Sequence, residues 1–296
     1  MDNRMKNSAD TRGGAAPSQA NSSVPVVGVG DSIQPDARLV AGTAGVYRIH
    51  NWGGDYFSIN EGGEVVCRLS SSRGIGISLR ALVGDLAKRG ISTPVNLRFP
   101  QIIGRQLELL TDAFGAAVEE FGYTQKYVPV YPIKVNQKKR VVEDVLRLGR
   151  MYDVGVEVGS KAELVIALAL CQNQASPVVC NGVKDQDYLR LALLAKRIGK
   201  RVFVVLESLT ELEQLVVLSR RLNVSPFVGL RLKLSARGSG KWEDSSGDLS
   251  KFGFTTTDLL KGVRLLQNAK LTDCVRLLHF HVGSQVTEIR RVKYAV

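Results

Sequence analysis

A lysine interrupts an apolar stretch that otherwise has the composition of a buried strand. In YVPVYPIKVNQKKR, residues 127–140, Lys134 stands between Ile133 and Val135. A lysine at a strand end usually lays its apolar stem along the protein while its amine reaches water. The alternative is chemical, because a partly buried amine gives up its proton more readily and can then attack a carbonyl carbon to form a Schiff base. The position of Lys134 leaves both interpretations open.

Charged residues also stand in two later strand patterns. Glu157 lies near the end of DVGVEV, just before a predicted helix start, where the helix dipole favours a carboxylate. Alternatively, Glu157 faces the same pocket as Lys134. Arg231 and Lys233 alternate with leucines in FVGLRLKL, which puts both cations on one face of a strand. Long cations on either face of a packed sheet need partners, so these positions are candidates for a charged site.

Two histidines share one face of the last strand pattern. His279 and His281 lie in LLHFHVGSQ, but the chain has only three histidines, and no cysteine or aspartate is suitably spaced nearby. We therefore expect no zinc site and no other metal site here. The alternative is an imidazole at a strand end, followed by Gly283 and Ser284, whose backbone amides and hydroxyl could bind a phosphate.

A polar loop rich in glycine and serine, ARGSGKWEDSSGDLSKFGF, occupies residues 236–254. Loops of this length usually act as lids or binding loops. The loop contains GSGK, but the spacing GxxxxGK[ST] is absent and no helix follows directly. A P-loop is therefore excluded.

The segments that must position these residues alternate between strand and helix patterns. Most of the strands are apolar at consecutive positions, as parallel strands buried on both faces are. Two helices open with a predicted capping box, Ser160 with Glu163 and Ser208 with Glu211. The pattern predicts an α/β fold of βαβ units, either an open doubly wound sheet or an incomplete (β/α)8 barrel with about six units present. The six predicted strands are residues 127–135, 153–158, 177–181, 201–207, 227–234 and 275–282.

The N-terminal third has a different composition. Residues 1–40 are rich in Ser, Ala, Gly, Asn and Pro, and we expect a disordered tail because such a segment cannot bury enough apolar surface. Paired glycines and period-2 stretches predict a small β segment at 41–75. The remaining residues, 76–296, form the predicted barrel domain, with an early strand in PVNLRF, residues 94–99.

The overall composition narrows the class of partner and compartment. The chain has a net charge of +12, but its basic residues are spread along helices without a block of five or six, which favours a solvated basic face over a nucleic-acid site. Four cysteines without metal-type spacing indicate free thiols in a reducing compartment. No apolar run of membrane-spanning length and no signal core are present, so we expect no membrane association and a cytoplasmic protein.

Seven motifs occur in an order that resembles one family. They resemble those of the biosynthetic arginine decarboxylases, pyridoxal-phosphate enzymes with an alanine-racemase-like barrel, and the similarity runs from Tyr47 to the chain end. The resemblance implies a TIM-like (β/α)8 barrel of fold type III. Ornithine and diaminopimelate decarboxylases share looser forms of the lysine and HVGS motifs. The motifs are YPIKVNQ, EVGSKAEL, VCNGVKD, RLNVSPFVGLRLKL, GSGKW, SKFGF and LLHFHVGSQ.

The resemblance implies a role for each matching residue. Lys134 matches the catalytic lysine that binds pyridoxal 5'-phosphate as a Schiff base. His281 matches the histidine that stacks on the cofactor ring, and Ser284 matches a serine on its phosphate. Glu157 matches an acidic residue beside the cofactor, and Arg231 matches an arginine near the ring hydroxyl.

The family resemblance also implies an activity. The expected reaction converts L-arginine to agmatine and CO₂, a step towards putrescine and spermidine, with Mg²⁺ as a second cofactor and a homo-oligomer as the full-length form. Lys251 in SKFG matches a position that supports the site. The alternatives are a decarboxylase of ornithine, lysine or diaminopimelate, and a non-catalytic pyridoxal-phosphate-binding or regulatory module.

The family continues well beyond Val296. Its last two barrel strands, its glycine-rich phosphate loop, the acidic partner of the pyridine nitrogen and a Cys/Asp segment that reaches across a dimer have no counterpart here. We therefore expect this chain to be an N-terminal portion that cannot decarboxylate arginine alone.

Overall fold

The computed structural model describes residues 37–69, 76–234, 252–283, 290, 292 and 293. Most of the predicted tail lies outside these ranges, and its last residues, from position 37 onward, begin a helix. Ser284, Lys251 and nearly all of the 236–254 loop also lie outside the described residues.

The first part of the described chain combines short helices with a small antiparallel sheet. The order β1–β2–β3 is a simple meander within the predicted β segment and just beyond it. Ser78 caps the helix that follows, since its Oγ accepts a hydrogen bond from the backbone N of Ala81 at 3.1 Å. The elements are α1 (Ala37–Val46), α2 (Ile49–Gly53), β1 (Phe57–Ile59), β2 (Val65–Cys67), β3 (Ile77–Ser78) and α3 (Leu79–Lys88).

The strand predicted in PVNLRF is wrong. Residues 94–99 run as irregular chain into a long helix that begins at Pro100. In the described part of the chain no strand pairs with these residues, so their backbone groups have no sheet to join there. Proline suits the first turn of the helix because its missing N–H would have had no intrahelical partner.

The remaining elements form a six-stranded sheet with helices between its strands. All five neighbouring pairs are parallel. The strands are β4 (Val130–Pro132), β5 (Gly155–Val158), β6 (Val178–Cys180), β7 (Val202–Leu206), β8 (Phe227–Arg231) and β9 (Val275–His279). The helices are α4 (Pro100–Glu120), α5 (Lys139–Leu148), α6 (Lys161–Leu170), α7 (Gln186–Arg197), α8 (Leu209–Leu222) and α9 (Thr256–Ala269).

The strand order decides between the two predicted architectures. The order in space, β4–β5–β6–β7–β8–β9, is the order in the chain. A doubly wound sheet reverses its winding at a switch point, whereas this sheet never does. Because crossovers between parallel strands are right-handed, unreversed winding puts every connecting helix on the same face. This is the winding of a (β/α)8 barrel, and the prediction of an incomplete barrel is confirmed.

The two faces of the sheet have different environments. Val158, Cys180, Val204 and Val228 stand side by side in register and are buried against the helices. Each buried aliphatic side chain of this kind contributes roughly 1.5–3 kcal/mol to folding. The opposite face, here called the inner face, carries Glu157 and its neighbours in register. A polar residue on that face therefore lies away from the helix layer.

Three strands end three residues earlier than their sequences predict. The predicted strand 227–234 ends at Arg231, so Lys233 lies beyond it. The predicted strand 127–135 is reduced to β4, after which a 3-10 turn covers Ile133–Val135. Lys134 therefore lies on this turn, just beyond the strand end. The predicted strand 275–282 ends at His279, so His281 follows the strand.

Candidate active site

The polar residues of the inner face gather at the carboxyl ends of the strands. Side chains alternate between faces along a strand, so residues two apart share a face. Arg231 and His279 are direct partners across β8 and β9. The carboxyl ends of barrel strands are where barrel enzymes place their chemistry. The cluster comprises Lys134, Glu157, Asn181, Glu207, Arg231, His279 and His281.

Lys134 and Glu157 meet at this edge, as the sequence suggested. Lys134 Nζ lies 3.4 Å from Glu157 Oε1. The lysine side chain is 63% exposed and the glutamate side chain only 10%. Glu157 Oε1 also accepts a hydrogen bond from Asn181 Nδ2 at 3.2 Å. The Glu157 carboxylate is therefore held in place by Asn181. The Lys134 amine that it contacts stays accessible to solvent and to a ligand.

Arg231 forms a second ion pair two strands away from the first. Its Nη1 donates to Glu207 Oε1 at 2.6 Å, and the two side chains are 15% and 5% exposed. The guanidinium also lies over the ring of Phe252, with 5.5 Å between its Cζ and the ring centroid. The other oxygen of Glu207, Oε2, is buried and has no hydrogen-bond partner in the described part of the chain.

The surroundings of both histidines disfavour their charged forms. Burial, aided by the nearby charges of Arg231, His281 and Lys134, lowers the pKa of His279 to about 4. Burial also lowers the pKa of His281, and Arg231 acts in the same direction. Among the described residues, no group of His, Cys, Asp or Glu has the arrangement of a metal site.

Two buried glutamates brace the loops that carry the cluster. Ser160 and Ser208 cap α6 and α8 as predicted. The carboxylates of Glu163 and Glu211, however, accept the backbone N–H one residue before each cap, that of Gly159 at 2.6 Å and that of Glu207 at 2.9 Å. The serine half of each predicted capping box is confirmed. The glutamate half is wrong, because each carboxylate accepts from the residue before the cap and not from the cap residue itself.

Each of these carboxylates also binds the preceding loop. Gln137 Nε2 donates to Glu163 Oε1 at 2.8 Å, and the backbone N of Lys184 donates to Glu211 Oε1 at 2.8 Å. The Lys184 amine is fully buried, 3.4 Å from Glu211 Oε2, and it donates to the carbonyl of Gly182. Burial lowers the pKa of Lys184, and the adjacent carboxylate opposes that shift. Hydrogen bonds and an ion pair thus connect successive loops at the carboxyl edge.

No role was predicted for three residues of this edge, Asn181, Glu207 and Lys184. A signal for Glu207 was available, because it follows the apolar run RVFVVL much as Glu157 lies near the end of DVGVEV. Asn181 likewise follows the apolar PVVC. Lys184 carried no such signal, since its loop is polar and only the tertiary structure buries it.

The described structure also has a cavity of about 570 Å³, at the opposite end of the strands. Its lining is largely apolar and includes Val128, Val179, Phe203, Phe227 and Leu277. The charged cluster does not line this cavity, so the chemistry is assigned to the strand ends.

The sequence profile of a known family matches much of the chain. The family is described as "Pyridoxal-dependent decarboxylase, pyridoxal binding domain", and the match covers residues 107–296, well over half of the chain. The chain belongs to the pyridoxal-dependent decarboxylases. The match includes all six strands of the parallel sheet.

Curated relatives point to one branch of these decarboxylases. The biosynthetic arginine decarboxylase of Bacteroides thetaiotaomicron is 45% identical over 251 residues, which are 85% of this chain and 40% of that protein. The enzyme of the same name from Deinococcus radiodurans is 43% identical over 256 residues, 86% of this chain and 38% of the relative. The chain thus spans about two fifths of the length of the curated relatives it matches.

Solved structures agree on the decarboxylase fold. The crystal structure of the biosynthetic arginine decarboxylase SpeA from Campylobacter jejuni matches with a TM-score of 0.74 and 35% identity, covering 84% of this chain and 39% of that one. A diaminopimelate decarboxylase from M. jannaschii matches with a TM-score of 0.59 at 21% identity, covering 81% of this chain and 50% of that one. The second match bears on the fold alone.

The chemistry of the cluster fits a pyridoxal group. An exposed amine lies beside a largely buried carboxylate, a guanidinium is held by Glu207, and the pKa of the His281 imidazole is lowered. Within the described residues, three buried polar atoms at this edge also lack hydrogen-bond partners: Asn181 Oδ1, Glu207 Oε2 and His279 Nδ1. Buried polar atoms without partners are costly, so the edge is suited to a polar ligand.

Proposed function

We propose that this chain carries the cofactor-binding part of an arginine decarboxylase, and that the whole protein converts L-arginine to agmatine and CO₂. The observation that carries the proposal is the contact of Lys134 Nζ with Glu157 Oε1 at 3.4 Å, at the carboxyl edge of a barrel-type sheet. The substrate assignment rests on the identity with biosynthetic arginine decarboxylases. The expected role in polyamine synthesis follows from agmatine as the product.

Lys134 is the residue proposed to hold pyridoxal 5'-phosphate. Its amine is reachable from solvent, and Glu157 keeps it at the strand edge. Glu157 is in turn held by the amide of Asn181. This arrangement presents one amine in a fixed place, which is what covalent capture of an aldehyde needs.

Other residues would hold the remaining parts of the cofactor. Arg231, kept in place by Glu207, is proposed to lie near the ring hydroxyl. His281 is proposed to stack on the ring, because its imidazole is planar and burial disfavours its charged form by lowering its pKa. Gly283 and Ser284 are proposed to bind the phosphate through backbone amide and hydroxyl groups. Pyridoxal phosphate, when bound, supplies an electron sink for the negative charge left on the substrate when CO₂ departs.

The substrate assignment is tested with the complete gene product. Incubation with pyridoxal phosphate and arginine labelled in its carboxyl group should release labelled CO₂. Release from ornithine, lysine or diaminopimelate instead would assign another substrate. Cofactor binding without release from any of these amino acids would favour a non-catalytic module.

Attachment at Lys134 is tested by trapping. Borohydride reduction of the protein with pyridoxal phosphate should leave a pyridoxyl group on Lys134, found by peptide mass spectrometry. Lys134→Ala should abolish the label. Lys139→Ala is the matched control, because Lys139 is also exposed and paired with a carboxylate, at 3.7 Å from Glu143. Equal labelling of the Lys134→Ala variant would contradict the proposal.

Magnesium and self-association belong to the same proposal. We expect the full-length protein to be a homo-oligomer and its activity to fall when EDTA removes Mg²⁺. Analytical ultracentrifugation and a chelation series with Mg²⁺ added back test the two points separately.

A further inference from the structure

His279 has a place in the cluster that the proposed function leaves unexplained. It lies on the inner face at the end of β9, opposite Arg231, and is mostly buried. Its Nε2 lies 3.5 Å from Asn181 Nδ2, across the cluster from its own strand. The other ring nitrogen, Nδ1, is buried and has no hydrogen-bond partner among the residues that the structure describes.

Asn181 connects this histidine to the first ion pair. Its Nδ2 donates to Glu157 Oε1 at 3.2 Å, and the same oxygen lies 3.4 Å from Lys134 Nζ. An amide nitrogen has two hydrogens, so one can serve Glu157 while the other serves His279. The contacts thus form an unbroken path from His279 through Asn181 and Glu157 to Lys134.

The orientation of the Asn181 amide matters to Glu157. If the amide were turned over, Asn181 Oδ1 would face Glu157 Oε1, and two acceptors would oppose each other. The carboxylate would then lose a donor in a largely buried setting, which is costly. A neighbour that accepts from Nδ2 therefore favours the orientation that supports Glu157.

We propose that His279 is a positioning residue, whose Nε2 accepts a hydrogen bond from Asn181 and so fixes the amide that holds Glu157 beside Lys134. This requires a neutral ring that carries its proton on Nδ1. Burial and the neighbouring cations keep the ring neutral, because together they lower the pKa of His279 to about 4. The inference rests on the proposed function in one respect only, namely that Lys134 is the residue that binds the cofactor.

The ring tautomer tests the proposal without any cofactor. Nitrogen chemical shifts of ¹⁵N-histidine-labelled protein at pH 7 distinguish the Nδ1–H form from the Nε2–H form and from the imidazolium. His50→Gln and His281→Gln assign the three histidine signals by loss of one set each. The expected result is the Nδ1–H form for His279. Either of the other two forms would overturn the proposal, because Nε2 would then carry a proton and could not accept.

A double-mutant cycle tests whether His279 acts through Asn181. The affinity of the chain for pyridoxal phosphate is measured in His279→Phe, Asn181→Leu and the double variant, with circular dichroism to confirm folding. Loss of one hydrogen bond predicts about fivefold weaker binding for His279→Phe. In the Asn181→Leu background the same change should have no further effect. Additive losses would show a purely packing role and would refute the proposal.

The two proposals fail in different ways. If the unaltered chain does not bind pyridoxal phosphate, the proposed cofactor site is wrong, and the tautomer measurement alone decides the role of His279. If the chain binds the cofactor but His279 carries its proton on Nε2, the cofactor site stands and the positioning role falls.

Discussion

Arg231 Nη1 lies 2.6 Å from Glu207 Oε1, and the two side chains are almost entirely shielded from water. Arg231 ends β8 and Glu207 directly follows the neighbouring strand β7, and the pair stands on the inner face of the sheet. Two charges removed from water are stable there only because each compensates the other.

Loss of one partner of this pair should be costly. We expect Glu207→Gln to lower the free energy of unfolding by about 3 kcal/mol, because the Arg231 guanidinium would stay buried without its counter-charge. Urea denaturation measures the change. The control is Glu143→Gln, which breaks the exposed Lys139–Glu143 pair and should cost less than about 0.5 kcal/mol. Equal losses for the two variants would contradict the assignment of a buried pair.

Stability should fall as the pH drops from 7 to 5 because His279 resists protonation. Its folded pKa, about 4, lies below the unfolded value of 6.5, so the unfolded chain binds more protons between these values. The contribution is complete above pH 6.5 and is lost towards pH 4. After allowance for solvent screening, we expect a loss of about 1 kcal/mol from pH 7 to pH 5.

Variants isolate this histidine from other titrating groups. His279→Gln should have a smaller loss of stability over the same interval, whereas His50→Gln should behave like the unaltered chain because His50 is exposed. Urea denaturation at the two pH values provides the comparison. The same pH dependence in His279→Gln and the unaltered chain would mean that His279 is not the group responsible.

A methyl group added at Gly182 should destabilise the loop between Asn181 and Lys184. Gly182 has a φ of +73°, and a Cβ there would lie 2.6 Å from the carbonyl oxygen of Gly159. We expect Gly182→Ala to cost about 2–4 kcal/mol from backbone strain and overlap. Gly115→Ala is the control, since nothing lies within 4 Å of its Cβ on helix α4.

The control substitution should change stability in the opposite direction. Alanine favours a helix interior, so Gly115→Ala should raise the free energy of unfolding by about 0.5–1 kcal/mol. Thermal unfolding monitored by circular dichroism tests both variants. A neutral Gly182→Ala would show that the loop can move away from Gly159 without strain.

Glu211 should be far more important to stability than its neighbour on the same helix. Glu211→Ala would leave two buried backbone N–H groups, those of Lys184 and Glu207, without their acceptor, and the buried Lys184 amine without its counter-charge. We expect a loss of at least about 3 kcal/mol. Glu213→Ala removes an exposed carboxylate two residues later and should stay within about 0.5 kcal/mol. Comparable urea midpoints for the two variants would rule out this bracing role.

Sequence patterns predicted the regular elements well and their ends less well. The six parallel strands and the serine caps of α6 and α8 are confirmed, because apolar runs and cap residues are local signals. The strand predicted at 94–99 is wrong, because an extended segment needs a neighbour to pair with. The capping carboxylates contact a residue other than the predicted one, since their positions depend on the preceding loop.

The sequence alone determined that this protein has βαβ units, and that Lys134 and Glu157 lie near the ends of predicted strands, because strand and helix periodicity are local properties of the chain; the contact between these two residues came from the structure. Its motifs also indicated the decarboxylase family. Only the tertiary structure decided the unreversed strand order, the burial of Lys184, and the pairing of Arg231 with Glu207. It also decided the contact between His279 and Asn181, which lie 98 residues apart. These features depend on which segments become neighbours in space, and no local sequence pattern specifies those neighbours.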